Sequence, residues 1–108
     1  MAKGFQIAVK SYAVVSSFPK EEKYSISSQI TRAAVSIPSN IAEGSSRISM
    51  KDYKRFLEIP LGSSFELETQ LLIAEAVNFG EKEKRNDLLK EIDEEQKMIM
   101  SFMSKLNL

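Results

Sequence analysis

Glu43, Glu66, Glu68 and Glu75 are the carboxylates whose type and spacing could do chemistry inside a bundle of helices. A di-iron centre would need a Glu-x-x-His on each of two helices. The chain has no histidine and no cysteine, so that pattern, the usual zinc sites and the Ser-His and Cys-His nucleophile systems are all excluded. Glu68 and Glu75 stand seven apart and share a helix face. They are expected near Arg32 or Arg47 as structural ion pairs, within or between subunits, rather than as an acid/base couple. Gly62-Ser63-Ser64 lacks the lysine and second glycine of a phosphate-binding loop. The residues point to no catalytic site, metal or cofactor.

Charge gives a better candidate. Arg47, Lys51, Lys54 and Arg55 surround Tyr53 and cover adjacent turns at the start of a predicted helix. Cations there oppose the helix dipole, so something else must favour them. Phosphate groups, acidic side chains of a neighbouring subunit, or simple solvation would each do so. The net charge is zero, yet residues 1–55 carry nine cations and four anions while residues 56–108 carry six and eleven. The two halves are complementary, either within one chain or toward a partner.

The elements that must position these groups are helical. The 108 residues suffice for one domain, 1–108, with room for four helices, and four glycines with three prolines are few for an all-β fold. The spacing predicts a first helix over 5–16, with Phe5, Ala8, Val9, Tyr12 and Val15 or Ser16 on one face, ended by Phe18-Pro19. A second helix is predicted over 20–43, with Ile26, Ile30, Ala33 or Ala34, Ile37 and Ile41 facing a core. Its other stripe, Thr31, Val35, Pro38, Ser39 and Ala42, is small enough for another helix or subunit to approach closely. Pro38 predicts a kink, and Gly44 a left-handed stop.

Ser49 and Asp52 have the spacing of a capping box for a third helix reaching 78 or 79 and stopped by Gly80, with a second kink at Pro60. That helix is apolar on more than one side, which places it at the centre of a bundle or between subunits. The last helix, to about Lys105, has the heptad-like positions Leu88 or Leu89, Ile92, Gln96, Ile99, Phe102 or Met103 and Leu106, with Asp93 and Lys97 paired outside. No uncharged run is long enough to span a membrane and no signal segment is legible, so a soluble, cytoplasmic protein is expected.

The stretch FPKEEKYSISSQITRAAVSIPSNIAEGSSR, followed by KDYKRFLEI and GSSFELETQL, resembles the bacterial four-helix bundle family encoded in intervening sequences of 23S ribosomal RNA genes, some members of which are labelled ribosomal proteins. The resemblance covers roughly Phe18 to Ala76. It implies an up-down-up-down bundle assembled into a homo-oligomeric ring, typically a pentamer, with a nonenzymatic role. A related branch, the accessory proteins of diversity-generating retroelements, binds a reverse transcriptase and nucleic acid through a basic surface. That similarity makes Arg32, Arg47, Lys51, Lys54 and Arg55 candidate RNA contacts.

Overall fold

The computed structural model describes residues 3–46 and 49–106. Every regular element in them is helical: α1 (Gly4–Val15), a 3₁₀ turn (Lys20–Glu22), α2 (Ile26–Gly44), α3 (Met50–Ala76) and α4 (Lys82–Lys105). Each helix packs on the next, and α4 closes the circuit on α1, so that α1 and α3 lie on one diagonal and α2 and α4 on the other. The result is an up-down four-helix bundle measuring 44 × 22 × 18 Å.

Its core is the stripe expected on α2, Ile30, Ala33, Ala34 and Ile37, met by Leu67, Leu71 and Ala74 of α3 and by Leu88 and Ile92 of α4. Ile26 and Ile41 extend the α2 stripe as half-buried ends. On α4 the heptad-like positions are inside as expected, with Ile99 and Gln96 buried and Phe102 half-buried against the Tyr53 ring. Asp93 and Lys97 pair at 2.9 Å on the outside.

The first helix turns a different face inward from the one its apolar spacing predicts. Gly4, Ile7, Ala8, Ser11 and Val14 are buried, whereas Phe5, Val9 and Tyr12 are exposed. Small residues on the buried side explain the choice. A Cβ on Gly4 would lie 3.4 Å from the Cα of Pro38, so α1 settles against α2 at backbone distance. The buried hydroxyl of Ser11 is satisfied locally by donating to the Ile7 carbonyl at 2.7 Å.

The second helix begins six residues later than expected. Pro19 is extended, the chain makes one 3₁₀ turn, and the serine hydroxyl of Ser25 donates to Glu22 Oε1 at 2.6 Å. Ser25 has non-helical dihedrals, and α2 starts after it. The helix then runs through Pro38 without interruption, as α3 does through the buried Pro60. A hydrogen bond of 2.7 Å between the hydroxyls of Ser36 and Ser63 joins these two helices midway.

The glycine expected to stop α2 in a left-handed conformation does not adopt one. Gly44 is helical, and the positive-φ residues among those described are Asn78 (63°) and Gly80 (83°). What requires glycine at 44 is α3, because a Cβ there would meet the Cβ of Phe56 at 2.8 Å. The left-handed cap sits at the other end of α3. Phe79 N–H donates to the Ala74 carbonyl at 2.8 Å and Asn78 N–H to Glu75 at 3.1 Å, the two bonds of a Schellman motif with Asn78 at its left-handed position. At the start of α3 the expected cap is present, Ser49 Oγ accepting from Asp52 N–H at 3.0 Å.

Candidate functional site

The basic cluster lies on the first two turns of α3, beside the end of α2. Lys51 and Arg55, four residues apart, are exposed; Lys54 is half-buried and engaged. Tyr53 turns inward instead, its ring 5.6 Å from that of Phe102 and edge-on to it. Arg47 lies outside the described residues. Arg32 does not join the cluster: twelve residues before Gly44 on α2, it is about 18 Å away along the axis at ~1.5 Å per residue. It lines a cleft of about 360 Å³ between α2 and α3 with Gln29, Ala33, Ser36, Ser63 and Glu66.

The carboxylates also separate. Glu68 accepts from Gln96 Nε2 at 3.1 Å across the α3–α4 interface, and Glu75 is exposed near the end of α3. Arg32 therefore shares its cleft with Glu66, not with Glu68 or Glu75. No group of three or more acidic residues among those described could hold a metal ion. Among the described residues, no helix is long and apolar enough to cross a membrane.

The small-residue stripe on α2 divides as well. Pro38 is half-buried under Gly4 of α1, so one close approach it allows is within the chain. Thr31 is half-buried and donates to the Ser27 and Ser28 carbonyls at 3.1 Å. Val35, Ser39 and Ala42 remain exposed. Tyr12, Thr31, Arg32, Val35 and Ser36 line a second cleft of about 380 Å³, which joins the outer face of α1 to that of α2.

Two apolar surfaces result. On α1, Phe5 (72% exposed), Val9 and Tyr12 (56%) follow the i, i+4, i+7 spacing of a single face, with Val35 of α2 alongside. On α3, Phe65, Leu72 and Ala76 fall on one line, with Ile73 beside it and Val77 just past the helix end; all are exposed, as is Ile59 nearer the helix start. The double-sided apolarity of the third helix was legible beforehand; the outward face of the first was not.

A polar group that sequence reasoning missed faces α1. Asp87, Glu91, Glu94 and Glu95 fall on one side of α4, at i, i+4, i+7 and i+8. Lys10 Nζ lies 2.8 Å from Asp87 Oδ2 and also hydrogen-bonds Glu91, and Lys3 reaches Glu94 at 3.1 Å. Glu91 and Glu95 are buried. The hydrogen bonds to Asp87 and Glu91 hold the Lys10 ammonium above its ordinary range, and the one from Lys10 holds Asp87 below the usual carboxylate range. Part of the complementarity between the basic and acidic halves is thus satisfied within one chain.

Four helices in an up-down circuit, with open clefts and apolar stripes on the surface, define a protein of the small helical-bundle class. The model of the family described as 23S rRNA-intervening sequence protein matches residues 1–101, and the chain belongs to that family. Among solved structures it is similar to a protein of unknown function from the S23 ribosomal protein family of Bacteroides thetaiotaomicron. The two share 24% identity and a TM-score of 0.84 over 94% of this chain and 95% of the other, a likeness of fold. No curated protein matches.

Proposed function

We propose that this chain is a nonenzymatic homo-oligomeric bundle that serves as an assembly scaffold in the bacterial cytoplasm. The observation that carries this reading is the exposed apolar face of Phe5, Val9 and Tyr12, paired on the same molecule with the exposed α3 residues Phe65, Leu72 and Ile73. Clustered exposed apolar side chains of this kind mark association sites. Two unlike faces suit a head-to-tail contact, which closes into a ring when the rotation per copy permits. Five copies is the number the family resemblance implies. Light scattering over a dilution series tests it: assemblies should persist at micromolar concentration, and a compact monomer there would refute the reading.

A second reading is favoured by Lys51 and Arg55, exposed four residues apart where the helix dipole disfavours them. RNA, or a nucleic-acid enzyme carrying RNA, would supply the missing anions. Affinity for structured ribosomal RNA should then fall steeply with salt and weaken further in a Lys51→Ala, Lys54→Ala, Arg55→Ala variant. Binding that ignores salt, or no binding at low salt, would count against it.

A further inference from the structure

We infer that α1 is held by an ion latch that opens while the other three helices stay packed, and that the latch governs assembly through α1's outer face. The second clause rests on the assembly reading above. The first stands on the α1–α4 contact alone.

The helix has only twelve residues, too few to persist without its neighbours. Its backbone runs beside α2 and α4, with α3 across the diagonal. Ile7, Ala8 and Val14, with the half-buried Val15 beside them, are its aliphatic contribution to the core, while Phe5, Val9 and Tyr12 point to solvent. The rest of its contact with α4 includes ion pairs. Lys3 and Lys10 answer carboxylates spread over two turns of α4, and the Glu91 side chain is only 8% exposed.

That burial decides what happens when the latch is broken. Lys10 is itself 42% exposed, so its attraction to the exposed Asp87 is a minor contribution. Its contact with Glu91 is different, because removing the ammonium leaves a carboxylate in a poorly hydrated position, a strongly unfavourable state. Water can reach Glu91 if α1 alone lifts. The α2–α3 interface and the Leu67, Leu71, Leu88, Ile92 layer need not move. Lifting α1 also removes the scaffold that aligns Phe5, Val9 and Tyr12 as one surface.

The natural chain has no cysteine, which makes a thiol probe clean. Ser11, buried on the inner side of α1, and Ser64, buried on α3, are each replaced singly, as Ser11→Cys and Ser64→Cys. The rate of labelling by an aromatic disulfide reagent is then measured at neutral pH with Lys10 intact, with Lys10→Met and with Lys10→Arg. The expected result is at least tenfold faster labelling of the Ser11→Cys thiol in the Lys10→Met background. The Ser64→Cys thiol should change less than twofold, and Lys10→Arg should restore the slow rate. Equal acceleration at both positions, or none at either, overturns the latch. Amide exchange of α1 against that of α3, in chains without the thiols, gives the same comparison should Ser11→Cys fail to fold. Sizing of the Lys10→Met protein reads the second clause separately: smaller species are expected, and unchanged assemblies with an opened α1 would overturn the coupling. A wild-type protein that is monomeric throughout sinks the assembly reading and leaves the latch to the thiol rates.

Discussion

Gly44 and Phe56 face each other across the α2–α3 interface so closely that a Cβ on the glycine would lie 2.8 Å from that of the phenylalanine. Both atoms would be fixed to helical backbone, so neither could swing aside. Overfilling a packed contact costs about 1 to 3 kcal/mol. Gly44→Ala should therefore destabilise by that amount in chemical denaturation, and Gly44→Val by more. Gly62 is the control, since a Cβ there meets nothing within 4 Å. Gly62→Ala should stabilise by roughly 0.5 to 1 kcal/mol through helix propensity alone. A neutral Gly44→Ala would show that the helices can separate without cost.

The turn between α3 and α4 makes two backbone demands. At Gly80, φ is +83° and a Cβ would also stand 2.8 Å from Cε1 of Phe18, whose ring packs at 5.6 Å from that of Phe79. Gly80→Ala is expected to cost at least about 1 to 3 kcal/mol, the range for a left-handed non-glycine residue. Asn78→Gly should be tolerated, and Asn78→Val should cost an amount like that at Gly80, because a branched side chain resists positive φ. Thermal melts of the three variants check the order.

Arg85 closes the same turn from below. Buried to 3% exposure, its Nη1 donates to the carbonyls of Phe79 and Gly80 at 2.7 and 2.8 Å. Arg85→Met keeps the aliphatic stem but strands both acceptors, and a loss on the order of 2 to 3 kcal/mol is expected from charge-assisted bonds of this kind. The loss should appear mainly as faster amide exchange in residues 77–81.

The pairing of Lys10 with Asp87 gives stability a defined dependence on pH. Asp87 is lowered from 3.8 in the folded state, so its contribution is present above that value and is lost as pH falls through the folded one. Lys10 is raised from 10.5, so its contribution is present below that value and disappears as pH rises through the folded one. Melting temperature measured against pH should therefore fall at both edges. Lys10→Met should shrink the alkaline edge, leaving the part that Lys97 contributes through Asp93, and blunt the acid one. An unchanged profile in the variant would show that other groups set both edges.

The sequence by itself determined four helices, the Ile30 to Ile37 core stripe, the Ser49 cap and the heptad positions of α4. Each of these is local, resting on side-chain periodicity or on a hydroxyl three residues from an orphan N–H. The basic residues at 51, 54 and 55 were equally legible because one helix start carries them. Tertiary structure decided what depends on a second helix. Hydrophobicity favoured Phe5, Val9 and Tyr12 with Ala8 as the inner face of α1, but Pro38 comes so close to Gly4 that the glycine side of the helix lies inward, and of the predicted face Ala8 stays buried. Gly44 looked like a stop because glycine usually marks left-handed φ, whereas here its missing side chain makes room for Phe56. Nothing in periodicity announces that Glu91 and Glu95 are buried. They are inside because α1 covers that face of α4: Lys10 reaches Glu91, eighty-one positions away in the chain, and Gly4 lies over the Glu95 carboxylate.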